Sequence, residues 1–302
     1  MRKCAIIYNP VSGRKLFEQK LEYVKERLQS AGYNIDVRPT ERPRHATEIT
    51  REICELEYDL IVVAGGDGTV HEVINGLCKK EKRIRIGYIP SGTACDLANT
   101  LKIPKNVEKA VDIILSGETV KMDIVNSNKG FFIYVAAIGT YVDISYVTDS
   151  KLKKVIGYFA YLLTGIKEFF TIPMIKAKII HDNGIFHGHF SMILVVNSKK
   201  VAGFNIIDKP QLDDGYVDVV TYRYIPFFNN LLYFISFIIT PKVIPGVRKF
   251  KTKKLRVMTQ HHHRWNMDGE EENSGTLNLE VQKQAIEIIV TKDIKKKYFK
   301  EN

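Results

Sequence analysis

Leu60-Ile61-Val62-Val63-Ala64-Gly65-Gly66-Asp67-Gly68-Thr69 is an unbroken apolar run that stops at a glycine-rich turn. Five apolar residues without alternation are what a strand covered on both faces requires. Beyond Thr69 the apolar positions take helical spacing, at Val70, Val73, Ile74 and Leu77. A buried strand passing through glycines into a helix is one step of a parallel, doubly wound sheet. The same step aims backbone N–H groups and a helix N-terminus at one point, which is the geometry that binds phosphate. Glycines let a ligand come close to the backbone. An aspartate among phosphate-binding groups would repel a nucleotide unless a metal lay between them, and this points to Mg2+. A tight turn without a ligand is the plainer reading, and the strand–turn–helix context argues against it.

Working outward, the first 120 residues alternate strand and helix signals. Ala5-Ile6-Ile7-Tyr8 ends at the turn pair Asn9-Pro10, and a helix pattern runs from Leu16 to Leu28 and closes at Gly32. Ile35–Val37 reads as a strand, His45–Leu56 as a helix and Ile84–Ile89 as the next strand. Two more loops therefore follow strands: Asn9-Pro10-Val11-Ser12-Gly13, and Pro90-Ser91-Gly92-Thr93-Ala94-Cys95-Asp96. In an open parallel sheet such loops share the carboxyl edge, where ligands bind. Each is a weak signal alone, and the three together form a coherent nucleotide cradle. It is neither a Walker A loop nor a G-x-G-x-x-G dinucleotide turn.

After about Val120 the texture changes. Short runs rich in β-branched and aromatic residues recur at 120–125, 131–138, 174–181, 185–196, 217–222, 253–259, 276–281 and 285–290, between turn pairs such as Asn183-Gly184 and Asp214-Gly215. Helical segments interrupt them near 151–170 and 226–240. The pattern predicts an antiparallel β-sandwich over 121–290, packed without a linker on an α/β nucleotide-binding domain over 1–120. Late in that half stands Met267-Asp268-Gly269-Glu270. Locally Asp268-Gly269 reads best as a hairpin turn. Placed opposite a phosphate cradle, it would also supply the carboxylate that phosphoryl transfer needs to accept a proton.

The 302 residues carry a formal charge of +11, so an anionic partner is expected. Between Asp218 and Asp268 there is no carboxylate, whereas Lys249, Lys251, Lys253 and Lys254 follow the apolar run 225–239. That combination suits a protein resting on an anionic bilayer. A core helix followed by a solvated basic strand is the reading composition alone favours. Neutralising those four lysines is expected to weaken liposome binding. No nucleic-acid module is present, so nucleic acid is not an expected partner. The four cysteines fall at Cys4, Cys54, Cys78 and Cys95 without zinc or redox spacing, as in reduced, cytoplasmic proteins. Nothing reads as a signal peptide or a transmembrane helix. His261-His262-His263 reads as a solvated edge, since only His261 and His263 would share a face.

Together, Asn9-Pro10-x-Ser12-Gly13, Gly65-Gly66-Asp67-Gly68-Thr69-x-x-Glu72-x-x-Asn75-Gly76, Gly92-Thr93-x-x-Asp96 and Asp268-Gly269-Glu270 resemble the diacylglycerol kinase catalytic family, shared with sphingosine and ceramide kinases. The resemblance spans essentially the whole chain. It implies a Rossmann-like domain of the NAD kinase/phosphofructokinase type, a sandwich domain carrying the lipid substrate, and a tail from about 291 to 302 that returns to the first domain. The implied activity is ATP- and Mg2+-dependent phosphorylation of diacylglycerol or a related lipid at an anionic membrane surface, by a cytoplasmic, peripherally membrane-associated enzyme. By the same resemblance Asn9, Pro10, Val11, Ser12, Gly13, Thr40, Gly65, Gly66, Gly68, Thr69, Val70, His71, Glu72, Asn75, Gly92 and Thr93 would surround ATP. Asp67 and Asp96 would hold the catalytic Mg2+, partly through water and with Asp268 completing the network, and Asp268 or Glu270 would be the general base. Asp214, with the carbonyls of Gln211 and Tyr216, looks like the family's structural metal loop, although a plain Asp-Gly turn is the local reading. The chain departs from the family's Gly-Thr-x-Asn-Asp-Phe-Ala-Arg at Cys95 and Asn99, which is expected to alter substrate or nucleotide positioning while Asp96 is kept. A soluble kinase of the NAD kinase type and a silent lipid- or nucleotide-binding protein are the alternatives. Pairing of sandwich edges would give a homodimer.

Overall fold

Tyr8 lies opposite both Pro39 and Ala64, and Gly65 lies opposite Pro90, so four strands end along one edge. They are β1 (Arg2–Tyr8), β2 (Tyr33–Pro39), β3 (Leu60–Gly65) and β4 (Arg85–Pro90), in the order β2-β1-β3-β4 and all parallel. Every residue of β3 is buried, as its unbroken apolar run requires. The computed structural model describes residues 2–12, 17–78, 83–93, 95–139, 174–201, 204–207, 210–225, 246–260, 263–272 and 275–300. The helical segments expected near 151–170 and 226–240, together with Gly13, His261 and His262, lie outside the described residues.

Helices α1 (Leu21–Ser30), α2 (His45–Cys54), α3 (Asp67–Leu77), α4 (Asp96–Leu101) and α5 (Val107–Ser116) connect and cover this sheet. Of the apolar positions read as the core stripes of α1 and α3, Val24, Leu28, Val70, Val73 and Ile74 are fully buried, and Leu21 is partly buried. The sequence pattern singles out neither α4 nor α5. The second is nonetheless well delimited, because the Asn106 side chain accepts from Lys109 N at 2.8 Å and Gly117 ends it.

The remaining strands are β5 (Glu118–Ser127), β6 (Gly130–Phe132), β7 (Val135–Gly139), β8 (Ile175–His181), β9 (Gly184–Val196), β10 (Lys200–Val201), β11 (Phe204–Asn205), β12 (Val217–Arg223), β13 (Val247–Thr252), β14 (Lys254–Thr259), β15 (Trp265–Met267), β16 (Glu270–Glu272) and β17 (Leu277–Val290). Apart from β10 and β11, which pair only with each other, they form the expected sandwich. One layer runs β13-β12-β9-β7-β15-β16 and the other β9-β8-β14-β17-β5-β6, all antiparallel. The long strand β9 belongs to both layers, its first half paired with β8 and its second with β12 and β7. Between the layers lies a separate core that includes Phe132, Ile193, Val219, Val257 and Trp265. Each such side chain contributes about 1.5–3 kcal/mol by leaving water.

Strand β17 joins the two halves. Its start pairs with β14 in the sandwich, and Ile288 pairs in parallel with Ile86 of β4. Helix α6 (Lys292–Tyr298) then folds back: Lys295 bonds Glu118 at 2.6 Å, and Tyr298 O accepts from Leu212 N at 2.9 Å. Among the described residues no helix is long and apolar enough to cross a membrane.

Candidate active site

The loops at the carboxyl edge are bound to one another through their backbones. Asn9 N donates to Ala64 O at 3.1 Å, Thr40 N to Tyr8 O at 2.8 Å and Ser91 N to Gly65 O at 2.9 Å. Asn9 Oδ1 accepts from Val11 N at 3.0 Å, closing a small turn, and Ser91 Oγ reaches Ser12 Oγ at 3.3 Å. Lys105 Nζ fixes the third loop by donating to Thr93 O at 2.6 Å. Val11, at the tip of the first loop, is 79% exposed, a large apolar side chain held out over this edge. Val70 by contrast is fully buried and belongs to the core, while Thr69 packs beneath Gly65.

The middle of the cradle has no room for side chains. A Cβ on Gly92 would stand 2.5 Å from the Cα of Gly66, and the atom it meets is backbone. Two loops thus touch main chain to main chain, leaving the N–H groups after β3 open to a ligand. Gly92→Ala should push these loops apart, at a cost of about 1–3 kcal/mol. We expect a lower melting temperature and a several-fold higher KM for nucleotide; an unchanged KM would show that no nucleotide lies there.

Three carboxylates converge beside this cradle. Asp67, the first residue of α3, accepts from Asp96 N at 2.9 Å and Leu97 N at 3.3 Å, so it caps α4 while facing the glycine loop. Burial first, with the Asp96 and Asp268 charges adding to it, lifts the Asp67 carboxyl from the usual 3.8 to about 6. Asp96 is itself buried at 4% exposure. Such an excess of buried negative charge fits a divalent cation. Among the described residues no group of three His, Cys, Asp or Glu could hold a metal outright, so water and phosphate oxygens would complete its shell.

Asp268 arrives from the sandwich. With Gly269 it forms a two-residue hairpin turn between β15 and β16, both φ values positive at +52° and +95°. The local turn reading and the functional one therefore describe the same residues. The turn carries the carboxylate inward: Oδ2 accepts from Ile133 N at 2.6 Å, and Oδ1 from Tyr134 N at 3.0 Å and Val135 N at 3.1 Å. His71 Nδ1 of α3 lies 2.9 Å from Oδ2, linking the two halves across the site. Glu270 opens β16, and its side chain lies outside what is described.

Other motif residues hold elements in place. Glu72 accepts from Arg44 N at 2.9 Å and Ala46 N at 3.0 Å, capping α2. Asn75 Nδ2 donates to Phe131 O and its Oδ1 accepts from Phe131 N, at 3.0 and 3.1 Å, docking β6 onto α3. Cys95 is buried with φ +54°, a conformation that asparagine tolerates better than cysteine. At the second predicted metal position, Asp214 Oδ2 lies 2.8 Å from Lys251 Nζ, and Oδ1 accepts from Tyr216 N at 3.0 Å. A metal between Gln211, Asp214 and Tyr216 would have to displace that ammonium.

Two residues that sequence reasoning missed complete the frame. Asp123, fully buried in β5, accepts from Gly215 N at 2.6 Å and Gln284 N at 2.7 Å. Tyr134 is buried near Asp67, Asp96 and Asp268, and burial followed by those charges drives its hydroxyl well above its usual range. For Asp123 the available signal was an acid flanked by Met122 and Ile124 within the apolar stretch of β5.

Residues 3–127 match the family model of the diacylglycerol kinase catalytic domain. The diacylglycerol kinase of Staphylococcus carnosus is 34% identical over 302 residues, covering 98% of this chain and 97% of its own length. That of Staphylococcus haemolyticus is 35% identical over 301 residues, covering 97% and 90%. The crystal structure of a diacylglycerol kinase from Bacillus anthracis str. Sterne shares the fold, with a TM-score of 0.77 at 22% identity, covering 97% of this chain and 98% of that one.

Proposed function

Given that the chain belongs to the diacylglycerol kinase family and is a kinase, we propose that it transfers the γ-phosphoryl group of ATP to the hydroxyl of diacylglycerol or a close relative, giving phosphatidic acid. The observation that carries this reading is the link from His71 to Asp268, 2.9 Å, which sets an acidic turn of the sandwich against the glycine cradle of the α/β half. Phosphoryl transfer asks for positioned phosphates, charge neutralisation and a carboxylate for the acceptor's proton.

Each part has a residue for it. The N–H groups after Gly65 take the phosphates at the start of α3, between the Asn9–Ser12 loop with Thr40 on one side and Gly92–Thr93 on the other. A Mg2+ ion beside Asp67 and Asp96 would neutralise the charge spread over the transferred group. Asp268 already receives three backbone N–H groups and His71, so its lone pairs are spent on holding the mouth of the site. The proton of the acceptor hydroxyl then falls to Glu270, two residues along the same hairpin. The acceptor lies in a membrane, so the enzyme works as a peripheral protein on an anionic surface.

The test is transfer of labelled γ-phosphate from ATP–Mg2+ to lipids dispersed in mixed micelles, with NAD as the soluble competitor. Labelled phosphatidic acid is the expected product. Label in NADP alone would replace the lipid reading with a soluble one.

A further inference from the structure

One outward face of the sandwich is built from three strands whose register is known. Lys176 of β8 pairs with His189 of β9, Lys178 with His187, and Ile180 with Ile185. On the other side Met258 of β14 pairs with Lys178, and Arg256 with Ile180. Directly paired residues share a face, so these side chains all point the same way. Their partners in alternation, Ala177, Ile179, Leu255 and Val257, point into the sandwich core.

This face is unusual in what it exposes. Of the six large apolar side chains exposed among the described residues, three belong here: Met174 at 48%, just before β8, Ile185 at 60% and Met258 at 37%. Lys176, Lys178 and Arg256 are exposed between them, and among the described residues none has an ion-pair partner. Of the carboxylates bordering the face among the described residues, Glu280 already pairs with Lys254 at 2.8 Å, and Asp182 accepts from Lys253 N and Lys254 N at the turn after β8. An open groove runs along the strip beside His187, His189 and Met258. By contrast, the basic run that stands out in sequence is engaged: Lys251 with Asp214, Lys254 with Glu280, Lys249 with Ile206 O, and Lys253 over the Tyr216 ring.

We propose that this β8–β9–β14 face is where the protein docks on an anionic lipid bilayer. Unpaired cations meet lipid phosphates, and the interleaved methionines and isoleucine enter the interface beneath them. A second copy of the chain fits poorly, because a two-fold contact would set these cations against themselves. Nucleic acid would use the charges and leave the apolar side chains exposed. The proposal rests on the lipid-kinase reading, and it places the membrane contact on a surface that the phosphate cradle does not include.

The experiment is flotation of the full-length protein with phosphatidylglycerol-containing vesicles and with pure phosphatidylcholine vesicles, alongside kinase activity in mixed micelles. Wild type should bind the anionic vesicles alone and release them as salt rises. Neutralising Lys176→Gln, Lys178→Gln and Arg256→Gln together should weaken binding about a hundredfold. Ile185→Ser with Met258→Ser should weaken it in a salt-independent way. All these variants should keep wild-type activity in micelles. Unchanged vesicle binding by the triple variant overturns the proposal, as does binding of duplex DNA that the same variant loses while vesicle binding persists. A mass on sedimentation that halves in the variant would assign the face to a second copy instead. If wild type labels no lipid in micelles, the kinase reading fails separately, whatever the vesicles show.

Discussion

Asp268→Asn is expected to lose both activity and stability, whereas Glu270→Gln loses activity alone. The Asp268 carboxylate is the acceptor for Ile133, Tyr134 and Val135 N–H groups in a site where its own exposure is 2%. An amide keeps one oxygen, which can still serve Tyr134 and Val135. Its NH2 would then face the Ile133 N–H, donor against donor, at a present separation of 2.6 Å. An orphaned buried donor costs about 1–3 kcal/mol, and the loss of charge opposite His71 adds to it. A melting temperature several degrees below wild type follows. Turnover should fall by about three orders of magnitude, because the turn that closes the site no longer holds its position. Glu270→Gln removes the proposed proton acceptor, and the expected result is a loss of about 10²–10⁴ in kcat with the melting temperature unchanged. Differential scanning calorimetry and single-turnover transfer measure the two effects. If Asp268→Asn melts like wild type and only turnover falls, the roles are reversed and Asp268 is the base.

The same residues show where sequence legibility stops. The run Leu60–Ala64 and its glycines announced β3, its parallel neighbours and the glycine loop that leads into α3, because a run of apolar residues without alternation suits a strand buried on both faces. The strands of the sandwich were legible wherever apolar and polar residues alternate. Strand β13 does not alternate, since Arg248, Lys249 and Lys251 are exposed and only Thr252 is fully buried. Composition gave it only as a solvated basic strand without bounds, and its bounds come from pairing with β12. Within the motif, the family resemblance grouped Glu72 and Asn75 with Asp67. Their partners, Arg44 and Ala46 for one and Phe131 for the other, lie 28, 26 and 56 residues away. Such partners are set by tertiary packing, so local pattern could not separate residues that face a ligand from those that hold the loop. Cys95 is the converse case. The departure was visible, but its backbone at φ +54° was not, and that geometry explains why asparagine suits the position.

Asp67 should be the residue through which pH and metal act together. Its carboxyl is lifted from 3.8 to about 6, chiefly by burial. The folded chain therefore keeps a proton that the unfolded chain has released between those two values. Stability is thus undiminished by this group below pH 3.8, declines as pH rises through about 6, and above that carries the full penalty, of the order of 3 kcal/mol. A divalent cation beside the carboxylate offsets that penalty and must displace the proton to do so. The stabilisation by Mg2+ with a non-hydrolysable ATP analogue is accordingly expected to be small at pH 5 and to grow steeply through pH 6. The acid limb of the rate profile should fall in the same range. Asp67→Asn cannot ionise, so the variant should lose the pH dependence of this increment together with about 10³ in turnover. Its amide oxygen can still accept from Asp96 N, which keeps the start of α4 partly capped and the variant folded. Thermal melts of both proteins with and without Mg2+–nucleotide, taken from pH 5 to pH 8, decide the matter. A Mg2+-dependent shift that persists unchanged in Asp67→Asn would move the metal to other ligands and leave Asp67 as a helix cap.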